Sequence, residues 1–152
     1  MNNQGKEAIY LDVCTLCRPF DDQSLMRIRL ETNAYYLILQ AIRDGRYEMI
    51  VSPVHLEEVN AIGDAQERQE TLAVLERLGT KAKCDLAATR ARAEQLYTRK
   101  FGIADAAHVV FAEATAGVFI TCDNRLLKKC KKEKVQVTVM NPVEFVIAED
   151  LK

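Results

Sequence analysis

Apolar positions recur along this chain with two different periods. Residues 8–12 (AIYLD), 47–51 (YEMIV), 118–121 (VFIT) and 135–139 (VQVTV) are short apolar or β-branched runs, and each predicts a buried strand. Between them the spacing becomes helical. Leu25, Ile28, Tyr35, Leu39 and Ile42 share one helical face, with Ser24 as the expected N-cap and Gly45 as the stop. Ser52-Pro53 predicts a second helix start, because proline at the first helical position loses an N–H that would be unpaired anyway. Further helical patterns cover 64–78, closed by Gly79, and 85–100, rich in Ala, Arg, Glu and Leu. The stretch 105–116 is nearly all small or apolar, so a buried helix is expected there, ended by Gly117. A basic helix is expected over 124–134, and Pro142 opens a short last one.

Short apolar strands alternating with helices predict an α/β chain. The expected architecture has three layers: a central, mostly parallel sheet of four or five strands flanked by helices. No repeat or linker interrupts it, so residues 1–152 are expected to form a single domain. With 49% hydrophobic residues, a chain of this length can bury roughly 70% of its unfolded surface without a metal or disulfide staple.

Charge and cysteine content narrow the classes. A charged fraction of 28% and a net charge of -1 argue against disorder and against a generally basic surface, but leave room for a local basic patch. Five cysteines at irregular spacing do not make a secreted disulfide framework. The first residues lack an apolar stretch behind a basic one, and no run reaches membrane-spanning length. A reduced, cytoplasmic protein with no membrane association is the expectation.

The chemistry lies in carboxylates. Asp12 ends the first strand, and Asp123 stands just past the run 118–121. In a parallel sheet both ends face one edge, where such folds bind ligands. Glu58, on the helix after the second strand, approaches the same edge, and Asp105 opens the alanine-rich helix. Packed carboxylates repel one another, and a divalent cation relieves this. Oxygen ligands favour hard ions, Mg²⁺ or Mn²⁺, which suit phosphodiester hydrolysis. A plainer reading stands beside this one. Asp105 and Asp123 are each as well explained as N-caps, and Glu58 alone would be an ordinary exposed helix residue.

Other features carry less. Cys14 and Cys17 form a CxxC, but Arg18-Pro19 follows at once and no second ligand pair is evident, so buried packing cysteines are expected. His55 and His108, three residues before Glu58 and three after Asp105, are weaker candidates for a direct role. Arg125, Lys128, Lys129, Lys131, Lys132 and Lys134 form a basic run beginning beside Asp123, and Arg18 could add to it. Arg18, Arg125 and Lys128 are the candidate phosphate-binding residues. Tyr35, Tyr36, Leu39 and Ile42 read as core first and as a docking face second.

Three pieces, IYLDVCTLCRPF, SPVHLEEV and DAAHVVFAEATAGVFITCDNRLLKK, run in this order over nearly the whole chain. Together they resemble the PIN domain family, the fold of many small endoribonucleases, including the toxin halves of toxin–antitoxin pairs. The resemblance implies Asp12, Glu58, Asp105 and Asp123 as catalytic and metal-binding acids, with Glu58 chosen over Glu57 because it precedes the aliphatic Val59. It implies Mg²⁺ or Mn²⁺, an RNA substrate, products with a 5′-phosphate and a 3′-hydroxyl, and an antitoxin protein or a homodimer as partners. Many family members carry Thr or Ser, then Asn or Ser, after the first acid; here Val13 and Cys14 stand there. The leading expectation is therefore a metal-dependent endoribonuclease. The alternative is a catalytically weak or inactive PIN-like module that binds RNA or protein.

Overall fold

The computed structural model describes residues 6–152. The first residues of the stretch judged to lack a leader fall outside the described residues. The described chain forms five strands: β1 (Glu7–Leu11), β2 (Tyr47–Val51), β3 (Gly79–Lys81), β4 (Val118–Ile120) and β5 (Thr138–Met140). The helices among the described residues are α1 (Val13–Leu16), α2 (Met26–Arg43), α3 (Pro53–Asn60), α4 (Ala65–Leu78), α5 (Leu86–Thr98), α6 (Ile103–Thr115), α7 (Asn124–Lys132) and α8 (Pro142–Ala148). A 3₁₀ turn, Arg18–Phe20, follows α1. No helix among the described residues is long and apolar enough to cross a membrane.

The strands form one sheet in the order β3-β2-β1-β4-β5, and each neighbouring pair is parallel. This is the α/β architecture expected, with five strands. The chain steps outward from β1 through β2 to β3, then returns to the other side of β1 as β4. The order therefore reverses between β1 and β4, and a crevice opens at the carboxyl ends of such a pair. The register Leu11↔Ile120 brings those two ends level.

Two hydrophobic cores clamp the sheet. Side chains alternate along β1, so Ile9 and Leu11 enter one core with Tyr35, Ile38, Met49, Ile120 and Phe145. Tyr10 enters the other with Leu96, Val109, Phe119 and Val139. Ile9, Tyr10 and Leu11 are all fully buried, as a central strand covered on both faces requires. Tyr35, Leu39 and Ile42 are core, as expected, while Tyr36 remains exposed.

Several local expectations are corrected. Ser24 is not the N-cap of α2; its hydroxyl donates to Asp22, and Leu25 takes the cap position without a side-chain bond. Helix α6 starts earlier than expected, with Gly102 as N-cap, which leaves Asp105 in the first turn. The last strand lies at Thr138–Met140 because the end of α7 is still closing before it. Lys134 adopts a left-handed conformation (φ 50°), and Val135 N–H donates to the Cys130 carbonyl at 3.2 Å.

Strand β3 has no apolar run to announce it. Gly79 makes it fit: a Cβ there would run into Val51 Cγ2 and the Leu75 carbonyl oxygen. Only glycine lets the end of α4 turn this tightly onto β2. Gly79→Ala is expected to destabilise the fold by about 2 kcal/mol, as overpacking against backbone does. A lowered urea midpoint with an unchanged slope checks this.

Candidate active site

Thr121, fully buried and immediately after β4, organises the carboxyl edge of the sheet. Its hydroxyl donates to Asp12 Oδ2 at 2.7 Å and accepts from Asp123 N–H at 3.0 Å. Asp12 is buried at the N-cap of α1, where Oδ1 accepts from Val13 N–H at 2.8 Å. Its Oδ2 also accepts from the Cys14 thiol at 3.3 Å. Asp123 caps α7, with Oδ1 accepting from Arg125 and Leu126 N–H at 3.0 and 3.2 Å.

Asp105 is different. It does not cap its helix, and among the described residues no hydrogen bond to its carboxylate is found. Burial raises its pKa above the ordinary 3.8, and the charges of Asp12, Asp123 and Glu58 raise it further, opposed by His108. Asp105 thus lies within the electrostatic reach of the other three predicted acids. Glu58 leans on His108 Nε2, and that bond holds its carboxyl below the ordinary range against the opposing effect of burial. Glu57, the neighbouring alternative, is exposed.

The donors present, carboxylate and hydroxyl oxygens, suit a hard divalent ion. No group of three or more His, Cys, Asp or Glu side chains among the described residues is drawn together closely enough to cage an ion alone. That is compatible with Mg²⁺, which keeps most of its waters and is usually held by one or two carboxylates together with substrate phosphate. Asp105, half-buried with no hydrogen bond to its carboxylate among the described residues and near three other acids, is the observation that fits a cation here.

The histidines separate. His55 is structural: its Nδ1 accepts from Ser52 N–H at 3.0 Å and its Nε2 donates to the Leu11 carbonyl at 2.7 Å. Burial pushes its pKa down to about 4, so it stays neutral. His108 touches Glu58 directly and has Nε2 3.9 Å from Asp12 Oδ1. Both CxxC sulfurs are free thiols. The adjacent Cys122 thiol, burial and the Asp12 charge push Cys14 up, and burial pushes Cys17 up to about 11, so neither is a ready nucleophile.

Of the candidate phosphate ligands, Arg125 and Lys128 are exposed on the first two turns of α7, beside Asp123. Arg18 is committed elsewhere, to Glu31 at 2.7 Å and Asp21 at 3.0 Å. Lys129 donates to the Lys100 carbonyl and lies over the Phe101 ring. A cavity of about 660 Å³ beside α3 and β3 is lined mainly by apolar side chains such as Leu56, Leu75 and Leu86, and by none of the four acids. The four candidate acids all lie outside its lining. In the sequence Thr121 has no assigned place in the site, Ser52 reads only as a helix start and Tyr10 only as part of a buried strand, although Tyr10 carries the one side-chain polar atom inside the run AIYL.

The PIN domain family matches residues 21–132, most of the chain, and the protein belongs to that family. The match includes Glu58, Asp105 and Asp123 and begins after Asp12. PIN domains are generally nucleases, and typically use divalent metals. The crystal structure of FitAcB from Neisseria gonorrhoeae is similar, with a TM-score of 0.52 at 17% identity, over 88% of this chain and 97% of that one. At that identity the likeness concerns the fold. No curated protein matches the chain.

The raised Asp105 carboxyl has a consequence for the metal-free protein. A carboxyl whose folded-state pKa lies above its unfolded value opposes folding once ionised. The penalty is absent below the ordinary value, grows as pH rises through the folded-state value, and is complete above it. Asp105→Asn is therefore expected to raise the Tm at pH 7 in chelator by about 2 °C, a fraction of a kcal/mol for a chain of this size. Scanning calorimetry should show that gain vanish near pH 3.

Proposed function

We propose that this protein is a metal-dependent endoribonuclease. The observation that carries the reading is geometric: at the point where the sheet order reverses, Thr121 joins the Asp12 carboxylate to the Asp123 backbone, and His108 Nε2, bonded to Glu58, lies 3.9 Å from Asp12 Oδ1. Membership of a family of nucleases supports it.

Asp12, Asp105, Asp123 and Glu58 would hold one or two Mg²⁺ or Mn²⁺ ions. When bound, such an ion supplies a Lewis acid for a phosphoryl oxygen and a water acidic enough to act as nucleophile. The chain's own residues do the rest. Thr121 holds the Asp12 carboxylate by hydrogen bonding to Oδ2 and braces the Asp123 backbone. It supplies a hydroxyl that Val13 and Cys14 do not. Arg125 and Lys128 meet the phosphates of a strand crossing the edge. RNA is the proposed substrate, with 5′-phosphate and 3′-hydroxyl products. A cytoplasmic toxin role, with an antitoxin partner or a second copy bound, follows from the family resemblance and is part of the same proposal.

The first test is cleavage of an RNA pool with Mn²⁺. Asp12→Asn is expected to lower kcat by more than about 100-fold, beyond the 10–100-fold common for residues that only support a ligand. Glu58→Gln should follow it, while Glu57→Gln retains wild-type activity. Equal cleavage by wild type and Asp12→Asn would sink the proposal.

The second test concerns binding. Replacing Arg125 and Lys128 together by Ala should flatten the log–log dependence of RNA affinity on salt by about 1.4, two phosphate contacts on a single strand. Fluorescence anisotropy in chelator, where no cleavage occurs, measures it.

A further inference from the structure

Behind Glu58 lies a polar array sealed inside the protein. Tyr10 is 0% exposed, and Ser52, His55 and His108 are each 1% exposed. Polar groups this deep are costly unless each donor finds an acceptor. The direction of each hydrogen bond can therefore be worked out from its neighbours.

Ser52 N–H donates to His55 Nδ1, so that nitrogen is an acceptor and the His55 proton sits on Nε2, facing the Leu11 carbonyl. At the other end, His108 Nε2 faces the Glu58 carboxylate, which only accepts. His108 Nε2 therefore carries a hydrogen. His108 Nδ1 then accepts from the Tyr10 hydroxyl at 2.7 Å, because the reverse direction would leave the Ser52 hydroxyl hydrogen only a 3.4 Å contact to His55 Nδ1, which already accepts from Ser52 N–H. The Tyr10 oxygen is left to accept from the Ser52 hydroxyl, also at 2.7 Å. The chain runs from Ser52 to Tyr10 to His108 to Glu58, and each of these hydrogens is used once.

The Tyr10 hydroxyl is not needed for packing. The ring already meets Phe119 edge-on at 5.6 Å and His55 at 4.4 Å, contacts that a phenylalanine would also make. Among the described residues, the hydroxyl bonds only to Ser52 and His108. Burial pushes its pKa up, so it stays a phenol able to donate.

We propose that Tyr10 is a positioning residue. Its hydroxyl locks His108 in the Nε2–H tautomer and aims that N–H at Glu58, which makes Glu58, and not the adjacent Glu57, the acid presented to the site. The consequence for cleavage rests on the nuclease reading; the hydrogen-bond chain does not. This also gives β1 a second role. It delivers Asp12 from its end, and from its opposite face it sets the orientation of an acid on α3.

The test uses the full-length, metal-free protein with ¹⁵N-labelled histidine. Long-range ¹H–¹⁵N correlation in the wild type should give His108 a protonated Nε2 and an unprotonated, hydrogen-bonded Nδ1. In Tyr10→Phe the Nδ1 signal should move downfield, as a ring nitrogen does on losing its donor, and the Nε2–H signal should broaden. With Mn²⁺, Tyr10→Phe should lose about tenfold in kcat with the RNA KM within twofold. His108→Gln, whose amide nitrogen can stand in for Nε2, should retain more activity than His108→Ala.

Three results would overturn the proposal: a wild-type His108 protonated on Nδ1, unmoved His108 signals in Tyr10→Phe, or equal loss in the Gln and Ala variants. If the wild type cleaves no RNA while the His108 signals respond as described, the nuclease reading fails and the positioning chain stands.

Discussion

One threonine hydroxyl holds the two strand-end acids in a common frame. Thr121 joins the carboxylate after β1 to the backbone after β4, across the seam where the sheet order reverses. That bond is available only because the strands are parallel and in register, Leu11 against Ile120. The register in turn is held by two hydrophobic cores pressing the sheet from opposite faces. A one-residue slip would turn Ile9 and Leu11 into the core that now receives Tyr10 and would separate the acids. The placement of the polar site thus depends on apolar burial some distance from it.

Capping and the acid role proposed for Asp123 are compatible. Asp123 gives one oxygen to two N–H groups of α7, and Asp12 gives one to Val13 N–H. In both, the cap fixes the rotamer of the side chain whose other oxygen faces elsewhere. Asp105 has no such anchor, and burial together with the charges of its neighbours raises its pKa. Local helix chemistry and the shared electrostatics of the site therefore divide the same four side chains into two that are fixed at helix starts, one that leans on His108, and one without a hydrogen-bonded support.

Much of the scaffold was legible in the sequence because it is written in short-range patterns. Tyr47–Val51 reads directly as a strand, and Ser52-Pro53 as a helix start. Strand β3 was not legible, since Gly-Thr-Lys carries no apolar signal and its place depends on close approach at Gly79. The acids could be named from strand ends and motif order. Their supports could not, because Tyr10 and His108 meet across 98 residues, and Asp12 and Thr121 across 109. Such pairs leave no periodic trace. A tyrosine inside an otherwise apolar strand and a histidine one turn after an acid are the only hints.

The placement of the basic residues of α7 bears on how a polyanion would arrive. The molecule as a whole is almost neutral, at -1, while Arg125 and Lys128 stand next to an acidic edge. Beyond a Debye length, about 8 Å in physiological salt, these opposite fields largely cancel. A nucleic acid chain would feel little pull from afar, and association would run at the unassisted rate of roughly 10⁵–10⁶ M⁻¹s⁻¹. Attraction would begin only at near contact, and from one side, with the cations drawing phosphates while the carboxylates repel them. In the proposed nuclease, such an arrangement would trade speed of capture for control over which way a bound strand lies.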